Sequence, residues 1–259
     1  MLIIRQAQME IFELAALQPF ENDMLAHLNV FAPKHCEVIG EAAVRAGIRL
    51  GIERARRYGL TNRGPMRFYI ELMFMYGCDF DTDPQCDWAA DILEGDGFPD
   101  QMTKADQLYD AAMAFTARTA GKDYIFAKNA LRRVHRVPFE DLPVLDAAFD
   151  TTMLARMTEM HPEKAQVLGE TRMRTVIGLG KKLPEALSLA PQRGTALCVG
   201  TAFALGHGFG HDPLLPWIAH TVTNRMIPDP EARTKRLYAR IMTYLDHIIA
   251  GFDAHAARL

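Results

Sequence analysis

Apolar residues along this chain return at helical spacing rather than at every second position. Leu237, Ile241, Tyr244, Leu245, Ile248, Ile249 and Phe252 fall on one face of a single long helix. Pro228-Asp229-Pro230-Glu231 precedes that stretch and suits a first turn, where proline needs no amide partner and acidic side chains meet the positive helix end. The same periodicity predicts helices near Gln8–Phe31, Cys36–Tyr58, Pro65–Tyr76, Cys86–Leu93 and Met102–Ala120. Breaks fall at Ala32-Pro33, Gly59 to Gly64, Gly77 to Pro84 and Gly95-Asp96-Gly97-Phe98-Pro99, and later at Pro162, Pro184 to Gly194, Gly206 to Pro213 and Pro228 to Pro230. Alternating β-branched runs with hairpin turns do not occur. The predicted fold class is all-α.

One phrase occurs twice. Gly77-Cys78-Asp79-Phe80-Asp81-Thr82-Asp83-Pro84 followed by Trp88 returns as Gly206-His207-Gly208-Phe209-Gly210-His211-Asp212-Pro213 followed by Trp217. The shared pattern is G-x-x-F-x-x-D-P-x-x-x-W at an offset of 129, and it holds both tryptophans of the chain. The same offset pairs Phe20 with Phe149, Met24-Leu25-Ala26 with Met153-Leu154-Ala155, Pro33 with Pro162 and Gly40-Glu41 with Gly169-Glu170. Farther on it pairs Leu50-Gly51 with Leu179-Gly180 and Leu108-Tyr109 with Leu237-Tyr238. Self-similarity at one register, without a gap, predicts a tandem duplication of two units of about five helices each, residues 1–121 and 122–259, packed into one body. Thr119-Ala120-Gly121-Lys122 is the predicted junction.

Composition adds limits. With 29 basic and 32 acidic residues and a formal charge of -3, the chain lacks the basic excess that phosphate binding needs, so no nucleic-acid partner is expected. No apolar stretch reaches membrane-spanning length and no secretory leader is read at the start, so no membrane association is expected. Cys36, Cys78, Cys86 and Cys198 show neither CxxC spacing nor zinc-type histidine offsets. Scattered thiols of this kind suit a reducing cytoplasm.

The repeated loop has a structural explanation. Aspartate before proline caps a helix start, the glycine ends the helix before it, and Phe80, Trp88, Phe209 and Trp217 anchor the loops, so Gly77, Pro84, Gly206 and Pro213 read as structural. Asp79, Asp81 and Asp83 alternate like calcium ligands, but the sixth and twelfth positions of an EF-hand would be Pro84 and Ala90, which fails that pattern. His207, His211 and Asp212 form a second polar cluster, yet Gly208 and Gly210 between the histidines argue for a loop rather than a metal-binding helix. Neither a metal nor a cofactor is assigned, and no phosphate loop, nucleophile elbow or cysteine-protease signature supplies a catalytic set. These six polar residues remain candidate partner-contacting groups.

Gly51-Ile52-Glu53-Arg54-Ala55 with Tyr58-Gly59, the opening Ile4-Arg5-Gln6-Ala7-Gln8-Met9-Glu10, Leu72-Met73-Phe74 and the Gly77 to Ala89 motif together resemble small uncharacterised helical proteins. Those proteins are encoded near type VI secretion spike and effector genes in Gram-negative bacteria. The resemblance covers most of the first unit, while the second departs from it at the positions of Asp79 and Asp81. It implies a bacterial cytoplasmic accessory protein with a protein partner, a toxin or effector or a spike component. Such a protein is an immunity protein that silences the toxin, or an adaptor or chaperone that loads the effector. A competing expectation is an enzyme in which Asp83 and Asp212 meet as acid and base. That reading fails if they lie far apart or if both cap helices. A third treats the chain as a mimic of a homodimer.

Overall fold

The computed structural model describes residues 6–95, 97–98 and 100–256, with side chains from 17 to 251. Ile4 and Arg5 of the opening motif, Asp96 and Pro99 of the predicted break, and the side chain of Phe252 lie outside that description. Every regular element among the described residues is helical. The first half holds α1 (Gln6–Phe31), α2 (Pro33–Ile39), α3 (Glu41–Arg57), α4 (Arg63–Tyr76), α5 (Asp87–Glu94) and α6 (Gln101–Thr119). The second holds α7 (Ile125–His135), α8 (Phe149–Met160), α9 (Pro162–Gly180), α10 (Leu183–Ala186), α11 (Pro191–Leu205), α12 (Pro216–Val222) and α13 (Pro230–Ala256). No helix among the described residues is long and apolar enough to cross a membrane.

The single helix expected over Cys36–Tyr58 is two. Gly40, at φ 80° and ψ 158°, stands in a backbone region that is essentially reserved for glycine and turns the chain between α2 and α3. Gly169, 129 positions on, has φ 70° and ψ 168° and kinks α9 in the same way. At the other expected boundaries, Asp229 accepts the Ala232 amide at 2.7 Å and starts α13 beside Pro230. Asp100 accepts the amides of Met102 and Thr103 and starts α6.

Packing within the halves runs in parallel. In the first, α3 packs on α1 and α4, α6 on α4 and α5; in the second, α9 packs on α8 and α11, α13 on α11 and α12. One core cluster is drawn from Phe20 to Ala112, the other from Phe115 and from Phe149 to Leu245. The first cluster takes in one foreign side chain, Leu214, which presses so closely on α3 that a Cβ at Gly47 would lie 2.5 Å from its Cδ2. Its counterpart by offset, Gln85, reaches the opposite way and donates from Nε2 to the Ala202 carbonyl of α11 at 2.9 Å. Where these two side chains cross, the Gly77–Pro84 and Gly206–Pro213 loops meet.

Candidate functional site

Each loop begins where a helix is stopped. Gly77 caps α4 at φ 98° and ψ 158°, and Gly206 caps α11 at φ 93° and ψ 153°. The two backbones then pass so closely that a Cβ at Gly77 would lie 2.6 Å from the Leu205 carbonyl oxygen, and one at Gly206 would lie 2.7 Å from that of Tyr76. Phe80 and Phe209 are fully buried beneath the crossing, and Trp88 and Trp217 are partly buried around it.

Asp83 and Asp212 tie the crossing together by a reciprocal exchange. Asp83 accepts the Gln85 amide of its own loop on Oδ1 at 2.8 Å and the His207 amide of the other loop on Oδ2 at 2.8 Å. Asp212 accepts the Leu214 amide on Oδ1 at 2.8 Å and the Cys78 amide on Oδ2 at 2.8 Å. Both carboxylates are buried. Each therefore satisfies two amides that the ends of the loops would otherwise leave without acceptors inside the protein.

The remaining polar side chains gather on one side of this clasp. Asp79 Oδ1 pairs with Arg54 Nη2 at 2.5 Å and accepts from Cys78 Sγ at 3.2 Å. Its Oδ2 lies 2.8 Å from His211 Nε2 and 4.0 Å from His207 Nε2. His207 Nδ1 lies 3.2 Å from Asp83 Oδ2, close enough for an ion pair though not aligned as a hydrogen bond. Asp81 turns inward instead, accepting the Tyr58 and Tyr69 hydroxyls on Oδ2 at 3.0 and 2.7 Å, with Arg54 Nη1 3.6 Å from Oδ1.

Charges follow from these neighbours. Burial pushes the Asp79 carboxyl upward, but His211 and Arg54 outweigh it and hold the group well below the usual carboxylate range. Burial likewise opposes ionisation of Asp83, yet His207 and the two amides bring its pKa below normal. For Asp212 burial outweighs the bonds from Cys78 and Leu214 and leaves its carboxyl raised. Asp83 raises the pKa of His207 and Asp79 raises that of His211. Burial, with Asp212 and Asp79 nearby, pushes the Cys78 thiol far above its ordinary value.

All six polar residues singled out in the two loops thus lie at one crossing, but they do not form an open contact surface. Asp79, Asp81, Asp83 and Asp212 are buried and turned on protein partners, His207 is half-buried, and His211 alone is exposed, with 66% of its side chain free. Sequence reasoning assigned no role at this crossing to Cys78, one of four scattered thiols, or to Arg54, which enters only within the Gly51–Ala55 motif. One signal was available for Cys78: its offset partner is His207, so both loops place a ligand-type side chain at the same position. Gly208 explains why the second loop lacks an acid opposite Asp79. Its missing side chain is the space Asp79 fills, since a Cβ there would meet Asp79 Oδ2 at 2.3 Å.

Comparison with known proteins finds no matching family model, no matching curated protein and no matching solved structure. The function is therefore argued from the molecule's own geometry.

Proposed function

We propose that residues 1–121 and 122–259 are two copies of one helical unit, and that the chain acts by binding a protein rather than by catalysis. The duplication is supported by the paired backbone angles at Gly40 and Gly169 and at Gly77 and Gly206, and by the reciprocal caps of Asp83 and Asp212. Those caps also occupy the two carboxylates that a composite acid–base site would need free, so the catalytic reading is not carried forward.

The observation that carries the binding reading is an apolar corner on the first unit. Val30, Phe31 and Val38, where α1 meets α2, are 81%, 42% and 50% exposed. At the same offset the second unit has Glu159, engaged with Arg156 at 3.0 Å, and the less exposed Met160 and Val167. Large apolar side chains left exposed around one helix junction are candidates for a contact surface. Together with the resemblance borne by the first unit, this supports an immunity protein of a type VI secretion effector module, seated on its toxin through the α1–α2 corner.

The test co-produces the chain with effector toxins of the same secretion cluster. Immunity predicts rescue of toxin-producing cells by the wild type and loss of rescue by V30D/V38D, whose surface changes leave the helical circular dichroism intact. Lost effector secretion on deletion, without self-intoxication, replaces immunity with the adaptor role. Neither phenotype overturns the secretion reading.

A further inference from the structure

We infer that Cys78, Asp79 and His211 form a site for a zinc-class divalent metal ion. The Cys78 thiol, the Asp79 carboxylate and a His211 ring nitrogen lie within 4.8 Å of one another. The donor set of one thiolate, one imidazole and one carboxylate selects a borderline transition ion. Calcium and magnesium require a shell of oxygens that these residues do not supply.

Each donor is aimed by a separate support. Asp212 holds the Cys78 amide at 2.8 Å, and Arg54 Nη1 donates to the Cys78 carbonyl at 2.5 Å, which fixes the residue from both sides. Arg54 Nη2 also pins Asp79 Oδ1, leaving Oδ2 turned toward both histidines. His207 stands just outside this cluster, with Nε2 4.0 Å from Asp79 Oδ2 and Nδ1 3.2 Å from Asp83. Gly208 contributes the space, because any larger residue would press Asp79 out of this position. His211, mostly exposed, provides the approach from solvent.

The Cys78 thiol donates to Asp79 Oδ1 at 3.2 Å, and His211 Nε2 lies 2.8 Å from Oδ2. On binding, the ion replaces these contacts: Cys78 Sγ loses its proton to water and becomes a thiolate ligand, and His211 Nε2 releases its proton and donates its lone pair. A 2+ ion between one thiolate and one carboxylate is neutral, and the Arg54 charge is balanced by Asp81, 3.6 Å from it. Because Cys78 and Asp79 come from one loop and His211 from the other, the ion would join the two halves at their crossing, and its binding energy would add to folding stability.

The test loads chelator-stripped full-length protein with cobalt(II). A bound ion in this donor set gives intense tetrahedral d–d bands together with a thiolate-to-cobalt charge-transfer band, both abolished by zinc and unaffected by magnesium or calcium. C78S removes the charge-transfer band, and H211A weakens binding by at least about tenfold. His211 is exposed, so H211A folds and remains decisive if C78S does not. Cobalt binding without a charge-transfer band, or wild-type affinity in H211A, overturns the site.

Discussion

Gly208→Ala probes the crossing most directly. Gly208 is not among the glycines at positive φ, so its backbone accepts alanine without strain, and only the space around it decides the outcome. The added Cβ would lie 2.3 Å from Asp79 Oδ2, 2.5 Å from Cγ and 2.9 Å from Cβ, against 3.4 Å or more for ordinary contact. Asp79 must retreat by about 1 Å, and with it go the 2.5 Å pair to Arg54 and the 2.8 Å contact to His211. Overpacking of this kind costs about 1–3 kcal/mol, and weakening charged hydrogen bonds to a buried carboxylate adds about 1–2 kcal/mol. The expected destabilisation is therefore about 2–5 kcal/mol. In a D79A background Oδ2 and Cγ are gone and only the 2.9 Å approach to Cβ remains, so the alanine costs about 1 kcal/mol, giving a coupling of about 1–4 kcal/mol between the two positions. Urea unfolding of the four proteins, followed by helical circular dichroism and by Trp88 and Trp217 fluorescence, measures the cycle. Equal cost of G208A in both backgrounds would refute the steric account.

Two further expectations concern glycines and histidines. G77A and G206A combine a glycine-only backbone angle with a collision on the opposing carbonyl, whereas Gly40 and Gly169 have the same kind of angle with open space around them. All four substitutions carry strain of about 1–3 kcal/mol, and the first two should exceed G40A and G169A by at least about 1 kcal/mol in urea unfolding. Imidazole NMR titration with a chelator present should separate the histidines into two groups. His35 and His161, lowered by burial, titrate below the ordinary value, while His207 and His211, paired with Asp83 and Asp79, titrate above it. For stability the signs oppose: what the first pair contributes is lost as pH falls below about 6.5, and what the second contributes is lost as pH rises through their raised values.

Helix type was legible because periodicity and the proline and glycine boundaries agree along most of the chain. The turn at Gly40 was not, since one glycine in a helical pattern costs only about 1 kcal/mol and usually stays helical. The capping role of Asp83 and Asp212 could be read from aspartate standing before proline. Their second bonds could not, because these go to a loop more than a hundred residues away and depend on how the backbones cross. Asp81 shows the same limit: its alternation with Asp79 and Asp83 suggested one shared role, yet three neighbouring aspartates face a tyrosine pair, an arginine with histidines, and backbone amides.

The crossing also sets an order of events during synthesis. The Cys78 amide and its Asp212 acceptor are 134 residues apart. At elongation rates of about 5–20 residues per second, the first loop waits roughly 7–27 s for the second to be made. Arg54, Tyr58 and Tyr69 precede it in the chain, so Asp81 and one face of Asp79 find their partners at once. The Cys78 carbonyl and thiol likewise have Arg54 and Asp79, but through that interval the Cys78 amide and the backbone at Gly77 lack their partners from the second loop. Closure of the second loop is thus the last step at the crossing, and the first loop stays incomplete until the far half of the chain has been made.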